Sequence, residues 1–575
     1  MPGIGLALIG MIVFALGYRY YSKYIAEKVF RLDPNFQTPA EKYNDGVDFV
    51  PTKRSIVWAH HFTSVAGAAP ILGPAIAVYW GWLPAFIWVV LGTVFAAGVH
   101  DFGALALSVR NKGQSVGTIA NKLIGRRGKL LFLFIILLLV VMVNAVFAWV
   151  VANLFISFPA SVISIFIQIP IALWIGVAIH KRQKSMLIPS IIALVIMYGT
   201  AVLAAQFPIL QIDLVSYFGG PEGTVLGMGA VPMAFLIWIV VSFIYVYFAS
   251  TLPVWRLLQP RDYINAQQFV VGLGLLYLAI FISNPTVTAP ATRTVDDVSW
   301  FPLLFITVAC GAISGFHALV ASGTSSKQIR REPDSRMVGY LGAVGEGVLA
   351  LLSIIAVTTL FASADAFNAA YTSFNVANET GLNNFIEGAG QLATGLMIPS
   401  HIAQTIVAVI VISFAATTLD TSVRLMRYII AELATEYKVP TLTKKHVATS
   451  IAVASSMALV MMPGDDRGFG SGGYLLWPLF GTQNQLLAGI TLLLITIWLR
   501  KLGRNYFITL IPMIFLLTMT LSAMFIQITT EWLPAGEWLL FGIGSVVFVF
   551  AIWICFEAIF IFKNKKNDSN QDLDV

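Results

Sequence analysis

The residues best placed to do chemistry in this chain are titratable groups set in apolar surroundings. His100-Asp101 interrupts one long apolar run, and Glu346 lies in another beside Gly339, Gly342, Gly345 and Gly347. His317 follows Gly315-Phe316 and precedes the hydroxyl cluster Ser322-Gly323-Thr324-Ser325-Ser326. A carboxylate within hydrocarbon is costly and normally faces a partner or a water-filled path. A histidine nearby can share or relay a proton around neutral pH. Asp101, His317 and Glu346 are therefore the candidates for carrying a coupling proton. The hydroxyls of Ser322, Thr324 and Ser325 point to a different coupling ion. With carbonyls near Ala66 and Ala69 they would surround Na⁺ with neutral oxygens. Their plainer reading is capping of a helix C-terminus.

A second constellation is made of backbone. From His60 to Pro74 the chain places Gly67, Pro70, Gly73 and Pro74 within eight residues. Each proline removes a hydrogen-bond donor, and carbonyls freed in hydrocarbon must find partners. An interrupted helix can offer those carbonyls to a cation and its half-helix N-terminus to a carboxylate. The alternative is a proline-kinked packing helix with small residues for close contact. Substrate binding is expected at Ala66, Gly67, Ala68, Pro70 and Gly73, joined by Ser250 and Thr251 of the similar segment Ala249-Ser250-Thr251-Leu252-Pro253. His60 and His61 read either as interfacial anchors or as gating residues. Asp420 and Arg424, four apart on one helical face, are expected to form a structural ion pair. Cys310 and Cys555 sit in apolar runs without metal-ligand spacing. No P-loop, nucleophile elbow, zincin or CxxC pattern occurs. No catalytic residue, metal site or cofactor is expected, beyond a bound Na⁺ or a coupling proton.

These groups need a scaffold, and composition indicates which. The 575 residues are 58% hydrophobic and only 11% charged, against roughly 25% charged in a soluble domain. Stretches of about twenty apolar residues match the thickness of a bilayer core. They fall near 3–20, 60–80, 82–109, 130–157, 159–179, 186–206, 230–252, 265–284, 301–321, 338–362, 402–428, 447–463, 474–499, 506–527 and 538–562. Fifteen such spans exclude a β-barrel, whose strands alternate over about ten residues. With the N-terminus outside, 33 of the 35 Lys and Arg face the cytoplasm, Arg293 and Arg467 being the exceptions. That bias is what orients membrane proteins, and it explains the net charge of +7 without nucleic acid. Residues 1–17 have no basic residue before them and no cleavage pattern after them, so they read as an uncleaved anchor.

The segments 66–70 and 249–253 are five spans apart, so they cross in opposite directions. Two such five-helix units, each opened by a broken helix, match a LeuT-like inverted repeat. The expected fold is thus an all-α polytopic membrane protein of about fifteen transmembrane helices, a 5+5 inverted repeat with extra helices at both ends. The units are an anchor and basic loop at 1–59, repeats at 60–229 and 230–446, a four-helix extension at 447–562 and a tail at 563–575.

Several stretches together resemble the carbon starvation protein A (CstA) family. They are His60 to Pro74, His100-Asp101-Phe102, Ala249 to Trp255 with Pro260-Arg261-Asp262-Tyr263, Gly315-Phe316-His317 with Ser322-Gly323-Thr324, Thr417 to Thr421 with Arg424, and Leu476 to Leu486. They run in family order from about residue 55 to 500. Members of that family often carry Gln where His100 stands, and many are longer at the C-terminus. The resemblance implies a fold of the amino acid–polyamine–cation (APC) superfamily. It also implies a bacterial inner-membrane transporter linked to nutrient limitation, importing peptides or, in some members, pyruvate. The expected function is ion-coupled symport of a small anionic or zwitterionic nutrient. A channel and a membrane-embedded His–carboxylate or metal enzyme are the rivals. The expected partners are a small-molecule substrate and the lipid bilayer, with the C-terminus cytoplasmic; no oligomeric state is implied.

Overall fold

An apolar run in hydrocarbon closes all its backbone hydrogen bonds within itself only as an α-helix. The computed structural model describes residues 2–182, 185–464 and 468–563, and twelve of its helices are long and apolar enough to cross a membrane. The first is α1 (Gly3–Val29), followed by the bent pair α2 (Arg54–Val65) and α3 (Ala69–Trp80), then α4 (Trp82–Arg110) and α5 (Val116–Ser157). Next come α6 (Pro159–Ala178), α7 (Leu187–Gln206), α8 (Ala230–Thr251) and α9 (Leu258–Ser283). Three short pieces follow, α10 (Trp300–Thr307), α11 (Ala309–Ala312) and α12 (Gly315–Gly323). After α13 (Arg336–Thr358) the chain forms α14 (Ala364–Ala370) and α15 (Phe374–Ala393). The C-terminal part holds α16 (Ser400–Glu436), the shorter α17 (Lys445–Val460), α18 (Trp477–Lys501), α19 (Phe507–Ala535) and α20 (Trp538–Phe562).

The fifteen expected spans thus resolve into twelve long helices, or thirteen if α2 and α3 form one bent span. Of the two others, 301–321 is broken into three pieces and 447–463 is a helix of 16 residues. Burial separates centre from periphery. The apolar window of α18 is 100% buried and that of α16 89%, against 28% for α20 and 33% for α1 and α7. Peripheral helices turn Ile188, Ile192, Val195, Phe556 and Phe560 outward, as lipid-facing surfaces require.

The interruption expected in 66–74 falls at Ala66–Ala68, where the axis bends by 48° between α2 and α3. The second interruption does not lie where the sequence suggested. Helix α8 is continuous through Ala249, Ser250 and Thr251. It contains no glycine, Pro232 sits in its first turn where a missing N–H costs little, and Pro253 lies beyond its end. The break occurs instead between α10 and α12, where Ser314 is extended (φ −138°, ψ 129°). Helices α10 to α12 run alongside α2 and α3, close enough that a Cβ at Gly73 would meet the Thr307 carbonyl at 2.3 Å.

Most of the basic loops gather at one end of the molecule. There Arg110 meets Glu332 at 2.6 Å, Arg336 donates to the Tyr18 carbonyl at 2.7 Å, and Arg126 meets Glu436 at 2.7 Å. At the opposite end Gly3 bonds Pro285 and Arg293 bonds the Tyr371 carbonyl, both at 2.7 Å. Residues 363–401 fall between the spans expected at 338–362 and 402–428, yet they contain α14 and α15. Helix α15 lies at this second end, its first N–H held by Asp297 and its body packed on α3, α13 and α16.

Candidate functional site

Four titratable side chains from three helices form one buried cluster. His100 Nδ1 lies 2.7 Å from Asp101 Oδ1 on α4, and Asp101 Oδ2 lies 2.7 Å from His317 Nδ1 on α12. His317 Nε2 faces Glu346 Oε2 of α13 at 3.1 Å, an ion-pair approach rather than an aligned hydrogen bond. All four residues are at most 2% exposed. Asp101, His317 and Glu346, singled out separately from the sequence, are thus brought together, and His100 joins them.

An imidazole between two carboxylates can donate to both only when it carries the extra proton. If His317 is neutral, one carboxylate must hold that proton, because two bare carboxylates in so dry a space are too costly. Such an arrangement can hold one proton among three residues. Among the described residues Glu346 Oε1 and His100 Nε2 have no hydrogen-bond partner.

Several features fix His317 in place. Asn484 of α18 accepts from the Phe316 N–H at 2.9 Å and pairs with the Ser314 hydroxyl, capping the N-terminus of α12. A Cβ at Gly315 would meet the Asn484 carbonyl at 2.3 Å, so only glycine lets α12 start this close to α18. On α13, Gly342 leaves room for the His61 ring one turn from Glu346.

A second buried network lies against the middle of α16. His60 Nδ1 meets Asp262 Oδ2 at 2.5 Å. Arg261 pairs with Asp420, which also accepts from the Tyr245 hydroxyl at 2.8 Å. Asn265 donates to the Thr417 hydroxyl at 2.8 Å. His60 and His61 are fully buried, not interfacial, and His61 bonds the Ser325 hydroxyl at 2.9 Å. The expected Asp420–Arg424 pair is not formed. Arg424 instead donates to the Ala249 and Leu252 carbonyls at the end of α8 and approaches Asp48 at 3.5 Å. A cation at a helix C-terminus satisfies orphan carbonyls there, while Asp420 faces the guanidinium of α9.

The expected Na⁺ cage is not assembled either. Ser322 donates to the Ala318 carbonyl and accepts from the Val116 N–H, Thr324 bonds Val320, and Ser325 is taken by His61. Ser322 sits in the last turn of α12 and Thr324 and Ser325 follow its end, each hydroxyl already engaged away from Ala66 and Ala69. What meets the α2–α3 interruption is α16, where Thr418 donates to the Ser64 carbonyl at 3.1 Å and Thr421 pairs with the Ser64 hydroxyl at 3.0 Å.

A cavity of about 430 Å³ opens at the end carrying Asp297 and α15. Ala69, Ile306 and Thr307 from the interrupted helices line it, with Phe374, Asn378, Trp477, Gly481, Gln527 and Glu531. None of the residues expected to bind substrate in this segment, Ala66, Gly67, Ala68, Pro70 and Gly73, lines it, and all five are buried; their neighbour Ala69 does line it. Gly67 is wedged between Phe147 and Thr418. Ser250 and Thr251 are not gathered here; their hydroxyls bond carbonyls of α8 itself. Among the described residues no group of His, Cys, Asp and Glu has the convergence of a metal site. The Cys310 side chain lies outside the described residues.

Asp262, Arg261, Thr418, Thr421 and Asn484 stand in the stretches that carry the family resemblance but were given no role from the sequence. A signal existed for α9: Gln259, Asp262, Asn265 and Gln268 form a polar stripe at helical spacing, which a rule based on apolar runs assigned partly to a loop.

Comparison with known proteins bears on this arrangement. The family profile Carbon starvation protein CstA matches residues 2–374 and 362–523. A peptide transporter CstA of Helicobacter pylori (strain ATCC 700392 / 26695) is 33% identical over 562 residues, covering 88% of this chain and 79% of the relative. The pyruvate/proton symporter BtsT of Escherichia coli (strain K12) is 30% identical, covering 89% and 80%. A peptide transporter CstA of Bacillus subtilis (strain 168) is 28% identical, covering 95% and 94%.

Proposed function

The chain belongs to the carbon starvation protein CstA family, and from that premise we propose that it imports small nutrients, peptides or pyruvate-like carboxylates, by proton-coupled symport. It is a multi-pass bacterial inner-membrane protein and a secondary active transporter rather than an enzyme or a channel. The observation that carries proton coupling is His317, on the last piece of the interrupted helix α10–α12, held between Asp101 and Glu346. A similar protein is named a pyruvate/proton symporter, which agrees with this choice over Na⁺.

In this reading solute enters the 430 Å³ cavity and protonation of the His317 cluster accompanies the change of access. The two discontinuous helices α2–α3 and α10–α12 lie side by side and, seven crossings apart, run in opposite directions, as the discontinuous helices of inverted-repeat transporters do, though not at the five-span spacing of a 5+5 repeat. Fifteen crossings, with α10–α12 and α17 counted, put the N-terminus outside and the C-terminus in the cytoplasm. The gathering of basic loops at one end supports that orientation.

The test is uptake of dialanine and of pyruvate by the purified protein in proteoliposomes. A proton gradient alone should drive accumulation. Glu346→Gln should abolish uphill uptake while exchange of solute down its gradient persists. Accumulation sustained by a sodium gradient, with the proton gradient collapsed, would overturn proton coupling.

A further inference from the structure

A second cavity, of about 320 Å³, lies at the basic end between the start of α5, the end of α12 and the last turns of α16. Its volume is in the usual range for a small-molecule site, and its middle is apolar, walled by Leu133, Ile136, Leu319 and Leu425. Two opposite charges face into it without neutralising each other. The Lys327 ammonium rests on the rings of Tyr428 and Phe49, 4.5 and 5.5 Å from their centroids. Among the described residues no carboxylate approaches it within ion-pair distance, Asp48 being engaged by Arg424 and Tyr428. Glu432 accepts from the hydroxyls of Ser115, at 2.8 Å, and Thr118, and no cation among the described residues pairs with it. Lys112 also lines the rim.

An ammonium and a carboxylate held apart across an apolar gap attract a molecule carrying the reverse pair. Tyr428, against which Lys327 lies, is one turn of α16 from Glu432, about 6 Å along the axis. Two residues of extended chain span at most about 7 Å. We propose that this cavity is a second solute site, on the release side, that takes a short zwitterionic peptide. Lys327 binds the terminal carboxylate, Glu432 binds the terminal ammonium, and the Tyr428 and Phe49 rings flank the Lys327 end. Leu319 and Ser322 lie on α12 a short way past His317, so the site adjoins the proton-carrying helix. This assignment rests on the transport reading above and adds to it a preference for zwitterions.

The test uses the full-length protein in oriented proteoliposomes, with flux measured separately from each face for three probes. These are dialanine, N-acetyldialanine, which lacks the ammonium, and dialanine amide, which lacks the carboxylate. From the face carrying residues 112–118, Glu432→Gln should raise half-saturation for dialanine about tenfold or more, the scale of one charged hydrogen bond. It should leave N-acetyldialanine unaltered. Lys327→Met should raise half-saturation for dialanine and N-acetyldialanine but not for the amide. Equal losses for all three probes, or no change for dialanine, would overturn the site while transport stands. A wild-type protein that moves neither dialanine nor pyruvate would overturn the transport reading, and this site with it.

Discussion

The side chains that matter most here are those whose charge is buried and whose partner is on another helix. Asp420 is the clearest case, since two arginines were available and only one is used. Its carboxylate meets Arg261 of α9, and Arg424, one turn away on its own helix, is spent on the carbonyls closing α8. Removing one member of a buried ion pair strands the other and costs about 3–5 kcal/mol. Asp420→Asn should therefore lower the unfolding midpoint in detergent sharply. Arg261→Met in the same chain should recover much of the loss. A double-mutant cycle should give a large coupling for residues 261 and 420 and almost none for 420 and 424. The reverse pattern would mean that the in-helix pair forms in the membrane.

Helix α15 shows how an element outside the expected spans comes to matter. Asp297, in the connection before α10, holds the start of α15 by accepting from the Phe374 N–H at 3.0 Å and holds the end of α3 by accepting from the Tyr79 hydroxyl. Partial burial pushes its carboxyl up, but these hydrogen bonds outweigh that and keep it below the ordinary 3.8. A depressed carboxyl stabilises the folded arrangement above its ordinary value, and that stabilisation is lost as pH falls through the lowered one. Protection of the first-turn amides of α15, measured against their intrinsic exchange rates, should thus be high at neutral pH and fall as the solution is acidified below 3.8. Asp297→Asn should raise exchange at neutral pH and flatten the acid dependence. Identical pH profiles for the two proteins would show that Asp297 does not hold α15 over the cavity mouth.

For the molecule as a whole, the distribution of charge is the strongest constraint. Loops carrying most of the Lys and Arg meet at one end through contacts among residues hundreds of positions apart, such as Arg110 with Glu332. Single cysteines placed in 207–229 should react with a membrane-impermeant thiol reagent added outside whole cells. Cysteines in 110–115 should react only after permeabilisation. Outside labelling at 110–115 would invert the proposed topology and put the 320 Å³ cavity on the entry side.

The amount of apolar surface and the positions of its runs depend on local composition, so the helical membrane class was legible in the sequence. The α2–α3 interruption was legible too, because Gly67, Pro70 and Pro74 act on the backbone where they stand. Asp101, His317 and Glu346 stood out one by one, because a titratable group among apolar residues is costly whatever surrounds it. That they form one cluster depends on which faces of α4, α12 and α13 turn together, and helical periodicity within one segment carries no information about the next. The same holds for the second interruption. Pro253 marked a helix end and not a break, while Ser314 breaks its helix with help from Asn484, 170 residues on. Tertiary packing decided those pairings, because a buried charge or an open carbonyl takes whichever partner the neighbouring helix brings within hydrogen-bond reach.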